Sequence, residues 1–247
     1  MDESTSNLTD LEPEGFARPD AGLQQRRSAE TRIAILEATI DCLAEFGYAR
    51  TTTLLVASKA RASRGAMLHH YPTKQALIEA TIEYAFYQRM KNFMKKVTSL
   101  TDEQRVYDNA AIQLSWQQYQ SREYKAYLEL HVAARTDPEL REMFLPRARL
   151  YDRIWRDEVC RAFPEWNHDI ELLHRASEFT RAALEGLMLN VDIWDDPDAE
   201  KFVVELVSTT LLMLRDGRIP FKKPVEAPPP PARKPRKAAA KPAAKKA

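Results

Sequence analysis

Glycine is scarce in this chain, six in 247 residues, and runs in which Val, Ile or Thr alternate with polar residues between turn signals are almost absent. That excludes a fold built on strands and hairpins. Ala, Leu, Glu, Arg and Lys dominate instead, all residues that lose little in a helix, so the fold class is all-α. Cysteine is scarcer still: Cys42 and Cys160 are the only two, in no metal-type spacing, which excludes a disulfide framework and a zinc module and leaves two thiols expected to be buried. No apolar run approaches the roughly 18 residues that cross a bilayer, and the acidic start MDESTSNLTDLEPE is unlike a secretory signal, so a cytoplasmic protein with no membrane partner is expected. A Gly-rich phosphate loop and a nucleophile–base pattern are missing too. His69 and His70 are adjacent, which on a helix sets them about 100° apart, too divergent to chelate one ion as an i, i+4 pair does. The sequence therefore argues against an enzyme, a metal site or a cofactor.

What is present is strongly partitioned. The formal charge of +1 divides into −5 over residues 1–25, +4 over 26–74, −7 over 75–216 and +9 over 217–247. Residues 1–25 are polar, acidic and broken by Pro13 and Pro19, and are expected to be a disordered arm. Residues 217–247 run from proline-rich to a Lys-Ala-Pro repeat with no aromatic after Phe221, and are expected not to pack. Between them, 26–74 is a basic module and 75–216 an acidic helical body that phosphate would repel.

The stretch TTTLLVASKARASRGAMLHHYPTK, Thr51 to Lys74, organises the rest. Thr52 and Ser63 suit helix N-caps, where a side-chain oxygen accepts from backbone N–H groups that have no helical partner. Val56, Ala57 and Ala60 give the first short helix a slim face, and Pro72 disfavours helix at the residue before it, ending the second. This spacing is that of a helix-turn-helix. Its second helix is short and basic, with Gly65 and Ala66 keeping the leading end narrow and Arg64 able to reach bases or phosphates in a groove about 12 Å wide.

Flanking residues sharpen this. With the preceding helix TRIAILEATIDCLAEFGYARTT, the Phe46-Gly47-Tyr48 corner, Thr51-Thr52, Val56-Ala57, Ser63-Arg64-Gly65 and the Tyr71–Leu77 run with Lys74, the chain from about Ala29 to Tyr84 resembles the tetracycline-repressor (TetR) family of transcription regulators. The resemblance implies that Thr52 and Lys74 grip phosphates, that Arg64, Ala66, His69 and His70 face the groove, and that Met67 and Tyr71 pack inward. The full DNA-binding set it suggests is Thr52, Thr53, Ser63, Arg64, Gly65, Ala66, Leu68, His69, His70 and Lys74. Two positions depart from the family pattern: Arg61 stands where glycine is usual at the corner, and Leu68 where a tyrosine usually faces phosphate.

The first helix is expected from near Ser28 to Gly47, with Ile33, Leu36, Ile40 and Leu43 as its core stripe. Arg26 and Arg27 precede it, either touching phosphate or merely solvated. One long helix follows Lys74, and further helices are expected over Asp102–Ser121, Glu123–Arg135 and Pro138–Phe163, the last capped by Asp137 with Pro138 in its first turn. These middle helices are rich in aromatics. In the resembled family they enclose a small-molecule pocket, which implies an effector site among Phe86, Trp116, Tyr119, Tyr127, His131, Phe144, Trp155 and Phe179. The residues alone allow plain core packing as well, and His131 could bond a ligand or a backbone carbonyl. With no evident inward Arg or Lys cluster, the effector is expected to be largely apolar or aromatic.

The last helices are expected over His168–Val191 and Asp198–Asp216. The first carries two stripes, one through Ile170, Leu173, Ser177, Thr180, Leu184, Leu187 and Val191 and one through Phe179, Ala183, Gly186 and Asn190. A single core uses one stripe, and the resemblance implies that the other, with Phe202, Leu206, Thr209 and Met213, joins a symmetry mate in a four-helix dimer interface. The expected function is a homodimeric, ligand-released repressor of operator DNA. The alternative is a non-specific DNA-coating protein led by the basic tail, whose charge would release counterions from phosphates or simply keep the chain soluble.

Overall fold

A computed structural model describes residues 12–13, 22–106 and 109–220, and among these the chain forms ten α-helices, one short 3-10 turn and no strand. Helix α1, Leu23–Arg50, begins within the stretch expected as a disordered arm: the Gln25 side chain accepts from the Gly22 N–H, so Arg26 and Arg27 are helical. The rest of the expected arm and the basic tail from Phe221 lie outside the described residues. Near its end α1 is broken at Gly47, whose φ of 74° suits a residue without a Cβ, and Thr51 closes the last turn on the Gly47 carbonyl at 2.8 Å.

Helices α2 (Thr53–Lys59) and α3 (Arg64–His70) follow, then α4 (Lys74–Val97), with Thr52, Ser63 and Thr73 each capping the helix it precedes. The segment expected as one helix over Asp102–Ser121 is instead α5, Asp102–Val106, and α6, Ala110–Tyr119, with residues 107–108 outside the described part. Ser121 accepts from the Tyr124 N–H and so starts α7, Arg122–Ala133. Helix α8 spans Pro138–Ala162 behind its Asp137 cap and continues through the exposed Pro146, where water can solvate the carbonyl left without a donor. A 3-10 turn, Pro164–Trp166, leads to α9, Ile170–Asn190, started by Asp169, and α10 is Ala199–Arg215.

The basic module and the acidic body share one core. Ile35, Ile40 and Leu43 of α1, Val56 of α2, Met67 of α3 and Leu77 and Ile78 of α4 pack in the same cluster as Leu130 of α7 and Phe144 of α8. Ala38, Ala126 and Ala134 keep the helices slim where α1 and α7 meet. Arg122, at the first turn of α7, ties the two charge-wise: one guanidinium nitrogen lies 2.7 Å from Asp41 of α1 and another donates to Glu37, which also accepts from the Tyr84 hydroxyl of α4. No described helix is long and apolar enough to cross a membrane.

Candidate functional site

Two short helices crossing at a tight corner form the outer end of the molecule. Arg61 turns that corner at φ 52°, the left-handed conformation that glycine adopts without strain, and the Ala62 N–H reaches back to the Ala57 carbonyl at 2.9 Å. Helix α3 then pins itself inward by Met67, 1% exposed, and Tyr71, while Arg64, Gly65, Leu68 and His69 face out. The Ser63 and Thr52 hydroxyls are on the same surface but already accept from Ala66 and Leu55 N–H groups at 3.1 and 3.2 Å. Thr53, Ala66, His70 and Lys74 are half-buried at its edge.

A Cβ placed on Gly65 would meet only Ser63 Oγ at 3.8 Å, so nothing inside the protein requires glycine there. What the missing side chain does is open the outer face of α3 to close approach. Burial, with the nearby charges of Arg32 and His69, lowers the His70 pKa below its usual 6.5. Lys74 is more engaged than a free phosphate grip would be: its ammonium donates to the Tyr48 carbonyl at 2.9 Å and sits 4.1 Å from that ring's centroid, tying α4 to the corner after α1. Two of its three N–H groups remain for another acceptor.

The second feature lies deep in the helical body, a cavity of about 150 Å³ between α4, α6, α7, α8, α9 and α10. Of the eight residues expected there, Phe86, Tyr119, Tyr127 and Trp155 line it. The other four do not. Phe144 is wholly buried in the main core and Trp116 packs with Leu184, Leu187 and Val204 in a separate cluster. His131 is exposed, its ring leaning on Tyr127 and Phe144, and Phe179 is 43% exposed on the outer side of α9.

The cavity is also more polar than a reading of its aromatics foretells. Arg89, Arg105, Asp152, Glu165, Arg181 and Arg215 reach it. Asp152 sits 2.5 Å from Arg181 and 3.1 Å from Arg156; burial alone would raise its pKa, but the two guanidinium groups hold it below the usual value. Glu165 lies 3.4 Å from Arg105, within ion-pair reach but too poorly aligned for a hydrogen bond. Burial pushes the hydroxyls of Tyr119, Tyr124, Tyr127 and Tyr151 up, keeping them neutral donors, and Tyr124 donates to Glu185. The expectation of a lining without inward arginines is thus overturned.

Residues 35–81 match the family described as bacterial regulatory proteins, tetR family. Over this segment the chain resembles the tetR family of regulators. It is 28% identical over 169 residues to an uncharacterised HTH-type transcriptional regulator of Mycobacterium tuberculosis, covering 66% of this chain and 86% of that protein. It is 34% identical over 128 residues to the HTH-type transcriptional regulator CymR of Pseudomonas putida, covering 50% of this chain and 61% of CymR. Among solved structures, a TetR-family member from Streptomyces coelicolor superposes with a TM-score of 0.53 at 21% identity, covering 74% of this chain and 98% of that one, which supports the fold. The chain is accordingly a DNA-binding transcription regulator and not an enzyme.

The faces of α9 and α10 carry a further pattern. Leu173, Thr180, Leu184 and Leu187 turn inward, but Ile170 of the same expected stripe, at the first turn of α9, is exposed and Ser177 and Val191 are half-buried, while Phe179, Phe202, Leu206 and Thr209 are exposed on the single chain. A Cβ on Gly186 would meet nothing within 4 Å. Sequence reasoning missed Arg89, Tyr124, Tyr151 and Arg181 as cavity residues. For Tyr124 and Tyr151 the aromatic signal existed, but Arg89 stands in the mixed run EYAFYQRMKN, where nothing local says which way it points.

Proposed function

We propose that this tetR-family regulator is a homodimeric repressor that holds a two-fold symmetric operator through α3 and releases it when a small molecule fills the inner cavity. The observation that carries this reading is the path of α4. It directly follows α3, its first turn is tied by Lys74 to Tyr48 at the end of α1, and farther along it sends Phe86, Arg89, Met90 and Phe93 into the cavity, so a ligand that shifts α4 shifts the reader. A dimer fits because apolar residues of α9 and α10 are left uncovered, and two readers related by a two-fold axis can reach half-sites roughly 34 Å apart. The DNA partner is double-stranded operator, read in the cytoplasm, with Arg64, Gly65, Ala66, Leu68, His69 and His70 facing the groove, Thr52, Thr53 and Ser63 at its edge and Lys74 offering its remaining donors to phosphate. The exposed Leu68 suits a thymine methyl better than a phosphate.

The test compares binding to the DNA upstream of the chain's own gene with binding to random DNA at physiological salt, for wild type and Arg64→Ala. A high specificity ratio that falls by about 1–3 kcal/mol in the variant is expected from loss of a base contact. Equal affinity for both DNAs would sink the reading.

A further inference from the structure

Among the charged residues that line the cavity, Arg89 stands apart. Arg181 is matched by Asp152, Arg105 by Asp102 and Glu165, and Arg215 by Asp216 at 2.9 Å. Among the described residues no carboxylate lies within ion-pair distance of Arg89, and its Nε is buried without a hydrogen-bond partner. Its guanidinium is held instead against rings, 4.4 Å from the Tyr124 centroid, 5.3 Å from Phe86 and 5.4 Å from Tyr127. Stacking on aromatic faces offsets part of the cost of desolvating a cation and fixes its plane, but it leaves the N–H edge unsatisfied. A buried donor edge of that kind is costly unless an acceptor completes it. Neutral tyrosine hydroxyls stand beside it, those of Tyr119 and Tyr127 donating to no described residue.

The rest of the cavity sets size and body. Phe93, Trp155, Phe163, Leu173 and Leu211 make an apolar wall, and about 150 Å³ is the volume that accommodates a single aromatic ring. Asp152 already faces two guanidinium groups, and the charge of Glu165 is balanced by Arg105 at 3.4 Å although neither of its buried oxygens accepts a hydrogen bond.

We propose that the effector is a one-ring aromatic carboxylate, its ring against the Trp155–Leu211 wall and its carboxylate held by the fixed N–H edge of Arg89 beside Tyr119 and Tyr127. This rests on the cavity being the effector site. A planar, two-oxygen anion is the partner that a guanidinium fork matches two-pronged, and the two tyrosine hydroxyls supply neutral donors that add bonds without adding charge.

The test is calorimetric titration of the full-length protein with benzoate and phenylacetate beside their neutral isosteres benzamide and phenylacetamide and the cation benzylamine, followed by operator binding with each. The carboxylates are expected to bind at least tenfold more tightly than the amides, since one charge-assisted pair is worth that much. Arg89→Gln should lower carboxylate affinity to that of the amides and leave the amides unchanged. Arg89→Lys, which keeps the charge and loses the fork, should fall between. The wild-type preference is measured without either variant, so a variant that misfolds does not decide the matter. Equal binding of amides or benzylamine, retention of the preference in Arg89→Gln, or no binding of either carboxylate overturns the proposal. If the amides bind and release operator, the ligand-released repressor stands while the anion assignment falls. If the carboxylates bind through Arg89 and operator affinity does not change, the anion site stands and the ligand-released repressor falls.

Discussion

Gly65 is where one missing side chain separates stability from function most cleanly. An alanine there gains helix propensity of up to about 1 kcal/mol, and its Cβ meets only Ser63 Oγ at 3.8 Å. Gly65→Ala should therefore melt no lower than wild type yet bind operator more weakly, because the new methyl points at the groove; gel shifts and thermal melts on the same samples check both halves. His70 gives the pH counterpart. Its pKa in the fold is below 6.5, so near that pH the unfolded chain binds more protons than the native one, and the contribution of neutral His70 is full above about 6.5 and is lost as pH falls through the lowered native value. Thermal stability should decline as pH falls below about 6.5 more steeply in wild type than in His70→Gln. Parallel declines would show that other groups dominate that window.

Among the helices, α7 touches both the cavity and α1. Its Tyr124 and Tyr127 line the cavity, and two residues before Tyr124 its Arg122 grips Glu37 and Asp41 of α1, the helix that supports the reader. The Arg122 side chain is 42% exposed, so these ion pairs contribute modestly to stability, on the order of 1 kcal/mol or less. Their geometric role is larger than that. Arg122→Ala should cost little in melting temperature and leave ligand affinity unchanged, while reducing the factor by which ligand weakens operator binding. Titrating operator affinity with and without saturating ligand measures this factor directly, and an unaltered factor would place the coupling in α4 alone.

At the scale of the whole molecule, the proposed dimer surface is the outer side of α9 and α10. Because a side chain at Gly186 meets nothing within 4 Å in the single chain, Gly186→Arg has room to fold as a monomer. At a two-fold contact it would instead bring like charges together and bury them unpaired, at a cost of several kcal/mol. Sedimentation at micromolar concentration should show wild-type dimers and variant monomers, with operator affinity lost in parallel and helical content kept. Dimers in both would move the interface to another face.

Much of the reader was legible in the sequence because its determinants are local. A hydroxyl at Thr52 or Ser63 caps the N–H three residues on, Gly47 supplies a positive φ that other residues resist, Asp137-Pro138 starts a helix, and the spacing of Val56 and Ala57 states which side of α2 turns inward, whereas the inward Met67 was what the family resemblance implied. On α9 the same periodicity marked Leu173, Thr180, Leu184 and Leu187 as inward, but it put Ile170 with them, and at the helix's first turn that residue is exposed. The cavity was only half legible, for a reason visible in neighbouring residues. Thr180 lines it while Phe179, adjacent in sequence and far more apolar, faces out; Tyr151 lines it and stacks on Phe86 at 4.1 Å, while Phe144, two turns earlier on α8, fills the main core. Aromatic content does not say whether a residue meets the filled core, the cavity or an outer face. That depends on how α4, α7, α8 and α9 pack against one another across wide separations in the chain, and the same packing turns Arg89 inward, onto three rings and away from water.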